Sequence, residues 1–99
     1  MIYTYILYSK KLNRFYVGAT GDVDQRLEQH NHAHYPDNFT VKGIPWELFH
    51  TIECQDWHQA LCIERHIKKM KSKKYIQNFR KYSELSDTLL QRFPPQPDC

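Results

Sequence analysis

The sequence predicts an α+β domain in which a three-stranded antiparallel sheet is flanked by helices, in the order β-β-α-β-α-α. Two segments rich in aromatic and β-branched residues are joined by a short polar link, which predicts a hairpin, and a third such segment follows one helix. The remaining segments have helical periodicity. At 99 residues the chain has room for one domain with a modest core. We place that domain at residues 1–92 and expect the proline-rich residues 93–99 to form a frayed tail.

The opening hairpin brings two tyrosines within reach of each other. Its strands are predicted at Ile2–Tyr8 and Phe15–Ala19, and the polar segment Ser9–Asn13 joins them. Because side chains alternate between the two faces of a strand, Tyr5 and Tyr16 can lie close together across the pair. Taken singly, a tyrosine in a strand most often packs its ring in a core.

Capping residues indicate where the helices begin. Asp22, Asp56 and Ser72 each precede a segment with helical spacing, and a glutamine follows each aspartate at the third position, as in a capping box. The helix after Asp56 has an apolar stripe, which consists of Ala60, Ile63, Ile67 and Met70. A last short helix is suggested by the leucines at 85, 89 and 90.

A third strand is predicted between the first two helices, at Trp46–Glu53. The segment before it, residues 32–45, is polar and contains Pro36, Gly43 and Pro45, so we predict a loop there. The three strands and the helices around them give the α+β layer arrangement.

The net charge of the chain weakly favours polyanionic partners. The formal net charge is +3, and a basic run, KKMKSKK, spans residues 68–74. Such a run could be a solvated helix face or a patch that contacts phosphates, and composition supports both interpretations about equally. The candidate nucleic-acid-binding residues of this run are Lys68, Lys69, Lys71, Lys73 and Lys74.

Targeting signals and soft-metal sites are not indicated. The N-terminal segment lacks the pattern of a signal peptide, and no stretch is apolar for long enough to span a bilayer, so we expect a cytoplasmic protein with no membrane partner. Three cysteines without C-x-x-C spacing favour neither a disulfide framework nor a zinc site. The alternating histidines at 30, 32 and 34 also fit a zinc or copper site poorly.

Three more polar residues are candidates for chemistry. Arg26 and His30 are four residues apart on a predicted helix and could present a cation and a titratable imidazole to a phosphate, although such a pair is more often inert. Glu64 lies beside the apolar stripe of the core helix, where an unpaired carboxylate is unusual. Glu64 could form an i,i+4 ion pair with Lys68 or serve as an oxygen ligand for Mg²⁺.

These residues together resemble the GIY-YIG nuclease family, in particular its small stand-alone bacterial members. Tyr3-Thr4-Tyr5 and Tyr16-Val17-Gly18 are similar to the two triplets of the family name. The other similar segments are T-x-D-x-x-x-R-L-x-x-H-N at 20–31, PWEL at 45–48 and A-x-x-x-E-x-x-I-K-K at 60–69. The N-terminal nuclease domain of the excision-repair incision enzyme is a more distant likeness. The first triplet departs from the family at Tyr3, in place of glycine, and at Thr4, in place of an apolar residue.

The resemblance implies a divalent-metal-dependent endonuclease that hydrolyses DNA phosphodiester bonds, with DNA repair or recombination as the expected setting. It implies catalytic roles for five residues, which are Tyr5, Tyr16, Arg26, His30 and Glu64. Glu64 would hold a single Mg²⁺ or Mn²⁺ ion. The partner would be DNA, bound through its phosphate backbone, and a further protein could supply specificity.

The mechanism expected from this resemblance is in-line attack of water on the phosphodiester. A tyrosine hydroxyl or its phenolate, with Tyr5 preferred, would accept the proton of the water, and His30 would relay it. Because the ordinary tyrosine pKa of about 10 is too high for this at neutral pH, a nearby cation such as Arg26 or the metal would have to lower it. Arg26 would offset the negative charge that develops on the phosphate.

Two other functions remain open at this point. A nucleic-acid-binding module could retain the GIY-YIG fold without cutting, and a protein-interaction scaffold could use the same aromatic residues in a core or an interface. The module predicts binding without cleavage, and the scaffold predicts no affinity for nucleic acid even at low salt.

Overall fold

Three strands and five helices form the part of the chain that the computed structural model describes, residues 1–32 and 38–95. The strands are β1 (Ile2–Ser9), β2 (Arg14–Thr20) and β3 (Trp46–Cys54). The helices are α1 (Val23–Asn31), α2 (Asn38–Lys42), α3 (Trp57–Met70), α4 (Lys73–Lys81) and α5 (Glu84–Arg92). The predicted α+β class, with a three-stranded antiparallel sheet flanked by helices, is confirmed.

The sheet has β1 at its centre, in the order β2-β1-β3, and both neighbours run antiparallel to it. The β1–β2 link turns at Asn13, whose φ of 52° lies in the left-handed region that asparagine tolerates better than most residues. The hydroxyl of Tyr8 donates to Asn13 Oδ1 at 2.8 Å across this turn. The predicted hairpin is therefore present, and its outer strand β2 leaves one edge of the sheet open.

Both faces of β1 are buried, because helices cover the sheet on each side. Ile6 belongs to the larger core cluster, together with Ile63 and Ile67 of α3 and buried residues of α4 and α5. Tyr5 and Leu7, which point to the other face, pack with Trp46 and with partly buried residues of α1. The sheet thus separates the α1 side of the molecule from the α3 side.

The predicted helix starts are confirmed by their capping hydrogen bonds. Asp22 Oδ1 accepts from the backbone N–H of Gln25 at 3.0 Å, and Asp56 Oδ1 accepts from that of Gln59 at 2.8 Å. At α4, Ser72 Oγ accepts from the third N–H of the helix at 3.1 Å. Each cap satisfies a backbone donor that has no partner within its own helix.

The loop predicted at 32–45 is wrong in part, because α2 occupies Asn38–Lys42. The physical reason is tertiary: the indole Nε1 of Trp46 donates to the carbonyl of Thr40 at 2.8 Å and anchors the short helix. Gly43 follows the helix directly and donates its N–H to the carbonyl of Thr40 at 3.3 Å. Residues 33–37 of this segment lie outside the described residues.

Thr4, the polar departure in the first triplet, is fully buried on the α3 side of β1. Its hydroxyl donates to the carbonyl of Ala60 at 2.8 Å, so the polar group has a partner and joins the sheet to α3. The hairpin thus accommodates a threonine where the family that the sequence resembles has an apolar residue.

The segment that follows α5 begins in contact with the core. The ring of Phe93, just after α5, packs against the core with its centroid 5.3 Å from that of His66. Residues 96–99 lie outside the described residues, so the division into a domain at 1–92 and a tail at 93–99 stays a prediction. In the part of the chain that is described, no helix is both long enough and apolar enough to cross a membrane.

Candidate active site

A buried hydrogen bond joins Tyr5 to His30. The Tyr5 hydroxyl and His30 Nε2 are 3.2 Å apart, and each residue is only 2% exposed. Tyr5 comes from the middle of the central strand, and His30 comes from the last turn of α1. Two residues that lie 25 positions apart in sequence are therefore brought together by the packing of α1 on the sheet.

Tyr16 completes an aromatic cluster around this bond. Its ring centroid is 4.7 Å from that of His30 in an edge-to-face arrangement and 6.3 Å from that of Tyr5. The strand register explains the second distance, since Tyr16 faces Leu7 and Tyr5 faces Gly18, which makes the tyrosines diagonal neighbours. Tyr16 is partly buried, in contrast to Tyr5.

Asn31, the neighbour of His30 in sequence, has a structural role that the sequence did not reveal. Its Oδ1 accepts from the backbone N–H of Trp46, and its Nδ2 donates to the carbonyl of Trp46 at 3.0 Å. This pair of hydrogen bonds ties the end of α1 to the start of β3. Asn31 stands beside His30 in the family-like segment, but only the folded structure shows which residue it contacts.

Arg26 lies one turn before His30 on α1, as the four-residue spacing predicts. It is partly buried, and its backbone N–H donates to the carbonyl of the capping residue Asp22 at 3.1 Å. The structure therefore places the guanidinium and the imidazole on the same helix.

Glu64 is on α3, on the opposite side of the sheet. Its Oε2 is 2.7 Å from Lys68 Nζ, and its side chain is 18% exposed whereas that of Lys68 is 54% exposed. The i,i+4 ion pair considered from the sequence is therefore present. The described residues contain no group of three or more His, Cys, Asp or Glu side chains that could hold a metal ion.

A basic cleft of about 390 Å³ lies along the open edge of β2. Arg14 and Tyr16 of β2 line one wall, and Lys68, Lys71 and Lys73 line the other. Arg14 is not among the site residues predicted from the sequence. The available signal was its position two residues before Tyr16, which places both side chains on the same face of the strand.

The basic run bends around this cleft. Lys71 ends α3 in the left-handed conformation, with φ 48° and ψ 40°, and Ser72 then caps α4. Because the chain changes direction there, the lysines of the run do not share one helix face. Lys69 and Lys74 are exposed but are not among the residues that line the cleft.

The cleft connects the two sides of the sheet. Tyr16 touches the Tyr5–His30 pair on the α1 side, and Lys68 contacts Glu64 on the α3 side. Tyr16 and Lys68 both line the cleft. The structure therefore gathers Tyr5, Tyr16 and His30 into one cluster, while Glu64 pairs with Lys68, which lines the cleft together with Tyr16.

Comparison with known proteins identifies the family of the chain. The family model of the GIY-YIG catalytic domain matches residues 1–80, which cover both triplets, α1, and the helix that carries Glu64. Neither the curated proteins nor the solved structures contain a match to the chain.

Proposed function

Because the chain belongs to the GIY-YIG catalytic domain family, we propose that it is an endonuclease that hydrolyses DNA phosphodiester bonds with one divalent metal ion. The single observation that carries the proposal is the Tyr5–Tyr16–His30 cluster beside a cleft lined by four cationic side chains. A nuclease needs proton-transfer groups next to a site that attracts a phosphate backbone, and this arrangement provides both.

The donor set at Glu64 fits one Mg²⁺ or Mn²⁺ ion. Magnesium is commonly held by one or two carboxylates and completes its octahedron with water and substrate phosphate. Glu64 supplies one such carboxylate, and in the structure a cation, the Lys68 ammonium, lies 2.7 Å from it. A metal bound there would supply Lewis-acid polarisation of the phosphodiester.

The remaining residues bind the phosphate and handle protons. Arg14, Lys71 and Lys73 hold the DNA backbone in the cleft without reading its sequence. Arg26 offsets the negative charge that grows on the phosphate as water attacks in line, since its planar guanidinium donates well to phosphate oxygens.

Two tyrosines are available to accept the proton of the attacking water. Tyr5 is almost fully buried and its hydroxyl already contacts His30, whereas Tyr16 is partly exposed and lines the cleft. Burial therefore favours Tyr16 for contact with the substrate. As Tyr16 accepts that proton, its own phenolic proton would pass to the Tyr5–His30 pair, whose imidazole ring lies against the ring of Tyr16. This division departs from the preference for Tyr5 expected from the sequence.

A second function has one observation in its favour. In the structure the Glu64 carboxylate is paired with the Lys68 ammonium. A protein that only binds nucleic acid needs no metal ligand, so this ion pair is compatible with its function. Such a non-catalytic module would bind DNA in the basic cleft and leave it uncut. A protein partner that supplies specificity is compatible with both functions.

A cleavage and binding assay tests the proposal. Linear, flapped and branched DNA are incubated with Mg²⁺ or Mn²⁺ and with the parent, Tyr16→Phe or Glu64→Gln. We expect the parent to cut, Glu64→Gln to lose metal-dependent cleavage, and Tyr16→Phe to be slower by about 10²–10⁴-fold, the usual range for a lost acid–base group.

Matched variants control for the chemical change itself. Tyr82→Phe removes a hydroxyl from an exposed tyrosine after α4, and Glu53→Gln removes a carboxylate charge from an exposed position of β3. Both controls should cut at the parent rate. DNA binding by the parent with no cleavage of any substrate would favour the non-catalytic module and overturn the proposed endonuclease.

A further inference from the structure

We propose that Lys68 exchanges partners during the reaction, holding Glu64 before a metal binds and holding a DNA phosphate afterwards. The inference rests on the proposed metal site at Glu64 and adds a positioning residue to it. Its basis is that Lys68 is both bonded to the Glu64 carboxylate and exposed in the wall of the cleft.

The geometry of α3 makes both contacts possible for one side chain. Glu64 and Lys68 are one turn apart, so the ammonium reaches Oε2 at 2.7 Å along the helix surface. With 54% of its side chain exposed and a flexible four-carbon stem, Lys68 can rotate from the carboxylate into the cleft without any change in the backbone.

Electrostatics favour the exchange once a divalent ion is bound at Glu64. A metal held by Glu64 would compete with the Lys68 ammonium for the carboxylate, and the two cations would repel each other at such short range. An ion pair with one exposed partner is weak, so a divalent ion can displace the ammonium at small cost. The displaced ammonium would then be available to a DNA phosphate in the cleft that Lys68 lines.

The other cations of the cleft lack this coupling. In the described part of the chain, no salt bridge engages Arg14, Lys71 or Lys73. Their charges are available to DNA whether or not metal is present. Among these cleft cations, Lys68 alone becomes available to DNA when metal binds. Metal binding therefore raises the affinity for DNA, and by linkage DNA binding must raise the affinity for metal by the same factor.

Metal affinity in the absence of DNA tests the exchange without using activity. Free Mn²⁺ is measured by its electron paramagnetic resonance signal during titration of the parent, Lys68→Met, Lys73→Met and Glu64→Gln. We expect Lys68→Met to bind Mn²⁺ about two- to fivefold more tightly than Lys73→Met, because only Lys68 must leave the carboxylate. Lys73→Met removes the same charge from the same cleft. It therefore measures how much the positive potential of the cleft alone lowers the affinity for Mn²⁺.

The outcomes separate this inference from the proposed function. If Lys68→Met and Lys73→Met bind Mn²⁺ equally well while Glu64→Gln loses binding, the metal site stands and the exchange is overturned. If Glu64→Gln binds Mn²⁺ as the parent does, the metal assignment is wrong and the exchange fails with it.

A second measurement follows Lys68 directly. In heteronuclear NMR of the lysine ammonium groups, the Lys68 signal should shift on addition of diamagnetic Mg²⁺, and the Lys73 signal should stay in place until a DNA duplex is added. A Lys68 signal whose chemical shift does not change at a saturating concentration of Mg²⁺ would also overturn the exchange.

Discussion

Gly18 faces Tyr5 across the β1–β2 pair, and a Cβ added at Gly18 would lie 2.5 Å from the Tyr5 hydroxyl oxygen and 2.6 Å from the ring carbon that carries it. The absence of a side chain at Gly18 is therefore what lets the Tyr5 phenol cross the neighbouring strand and reach His30. The presence of glycine at this position of the second triplet therefore has a steric explanation, which is the space that the Tyr5 ring occupies.

Replacing Gly18 by alanine should displace the Tyr5 ring and weaken its contact with His30. We expect Gly18→Ala to lower the free energy of unfolding by about 1–3 kcal/mol, the usual cost of overpacking a core. Urea denaturation measures this. Gly21→Ala is the control, since a Cβ there would meet its nearest neighbours at 3.8 and 3.9 Å, which is ordinary contact. Equal stability of the two variants would contradict the steric explanation.

Removing the Asn31 side chain should detach the end of α1 from β3. Asn31→Ala leaves the N–H and the carbonyl of Trp46 without these partners, and we expect a loss of about 1–3 kcal/mol in unfolding free energy. Amide hydrogen exchange should show faster exchange at Trp46 than in the parent. Unchanged protection of the Trp46 amide would mean that Asn31 is not its essential partner.

Tyr5→Phe should affect stability as well as activity. The variant keeps the ring but takes the hydrogen-bond partner from His30 Nε2 in a buried setting, so we expect a loss of about 1 kcal/mol in unfolding free energy. Tyr16→Phe, at a partly exposed position, should lower the unfolding free energy by less than half of that amount. Thermal denaturation of both variants compares them, and a larger loss for Tyr16→Phe would reverse the assignment of buried and cleft-facing roles.

The stability of the fold should decrease as pH falls below about 6.5, the ordinary pKa of histidine. Burial, with the nearby Arg80 charge as the smaller cause, lowers the pKa of His50 from 6.5. The unfolded chain therefore binds a proton at His50 at a pH where the folded chain does not, so protonation favours unfolding. The hydrogen bond of 2.7 Å between His50 Nε2 and Ser86 Oγ lies in the same partly buried setting.

His50→Gln should reduce this pH dependence. Between about pH 7 and pH 5.5 we expect a smaller drop in melting temperature for the variant than for the parent. The reason is that the variant lacks one of the groups that bind a proton in the unfolded chain but not in the folded chain. The lowered pKa of His66, caused first by burial, contributes a remaining slope of the same sign. Identical slopes for parent and His50→Gln would show that His50 does not contribute.

Arg14 should contact phosphate and not bases. Arg14→Met is expected to weaken DNA binding to a similar degree for all sequences and to reduce the slope of log affinity against log salt concentration by about one. Fluorescence anisotropy across a salt series measures the slope. Lys42→Met removes the same charge from an exposed position at the end of α2 and should keep the parent slope. A change of slope in both variants would point to net charge as the cause.

Much of the fold could be predicted because its signals are local. The hairpin, the helix starts at Asp22, Asp56 and Ser72 and the strand at Trp46 depend on residues within a few positions of each other. Capping hydrogen bonds, for example, span only three residues. The five proposed site residues could likewise be named in advance, from the segments that resemble the family.

What the sequence alone determined is therefore which elements form and which side chains are candidates for chemistry. The tertiary structure decided that Tyr5 bonds to His30, that Asn31 clamps Trp46, and that Arg14 shares a cleft with lysines more than fifty residues away. It also placed Glu64 on α3, which packs on the face of the sheet opposite to the one that carries His30. The physical reason is that such contacts depend on which helix covers which face, and this is settled by packing of the whole core and not by any local pattern.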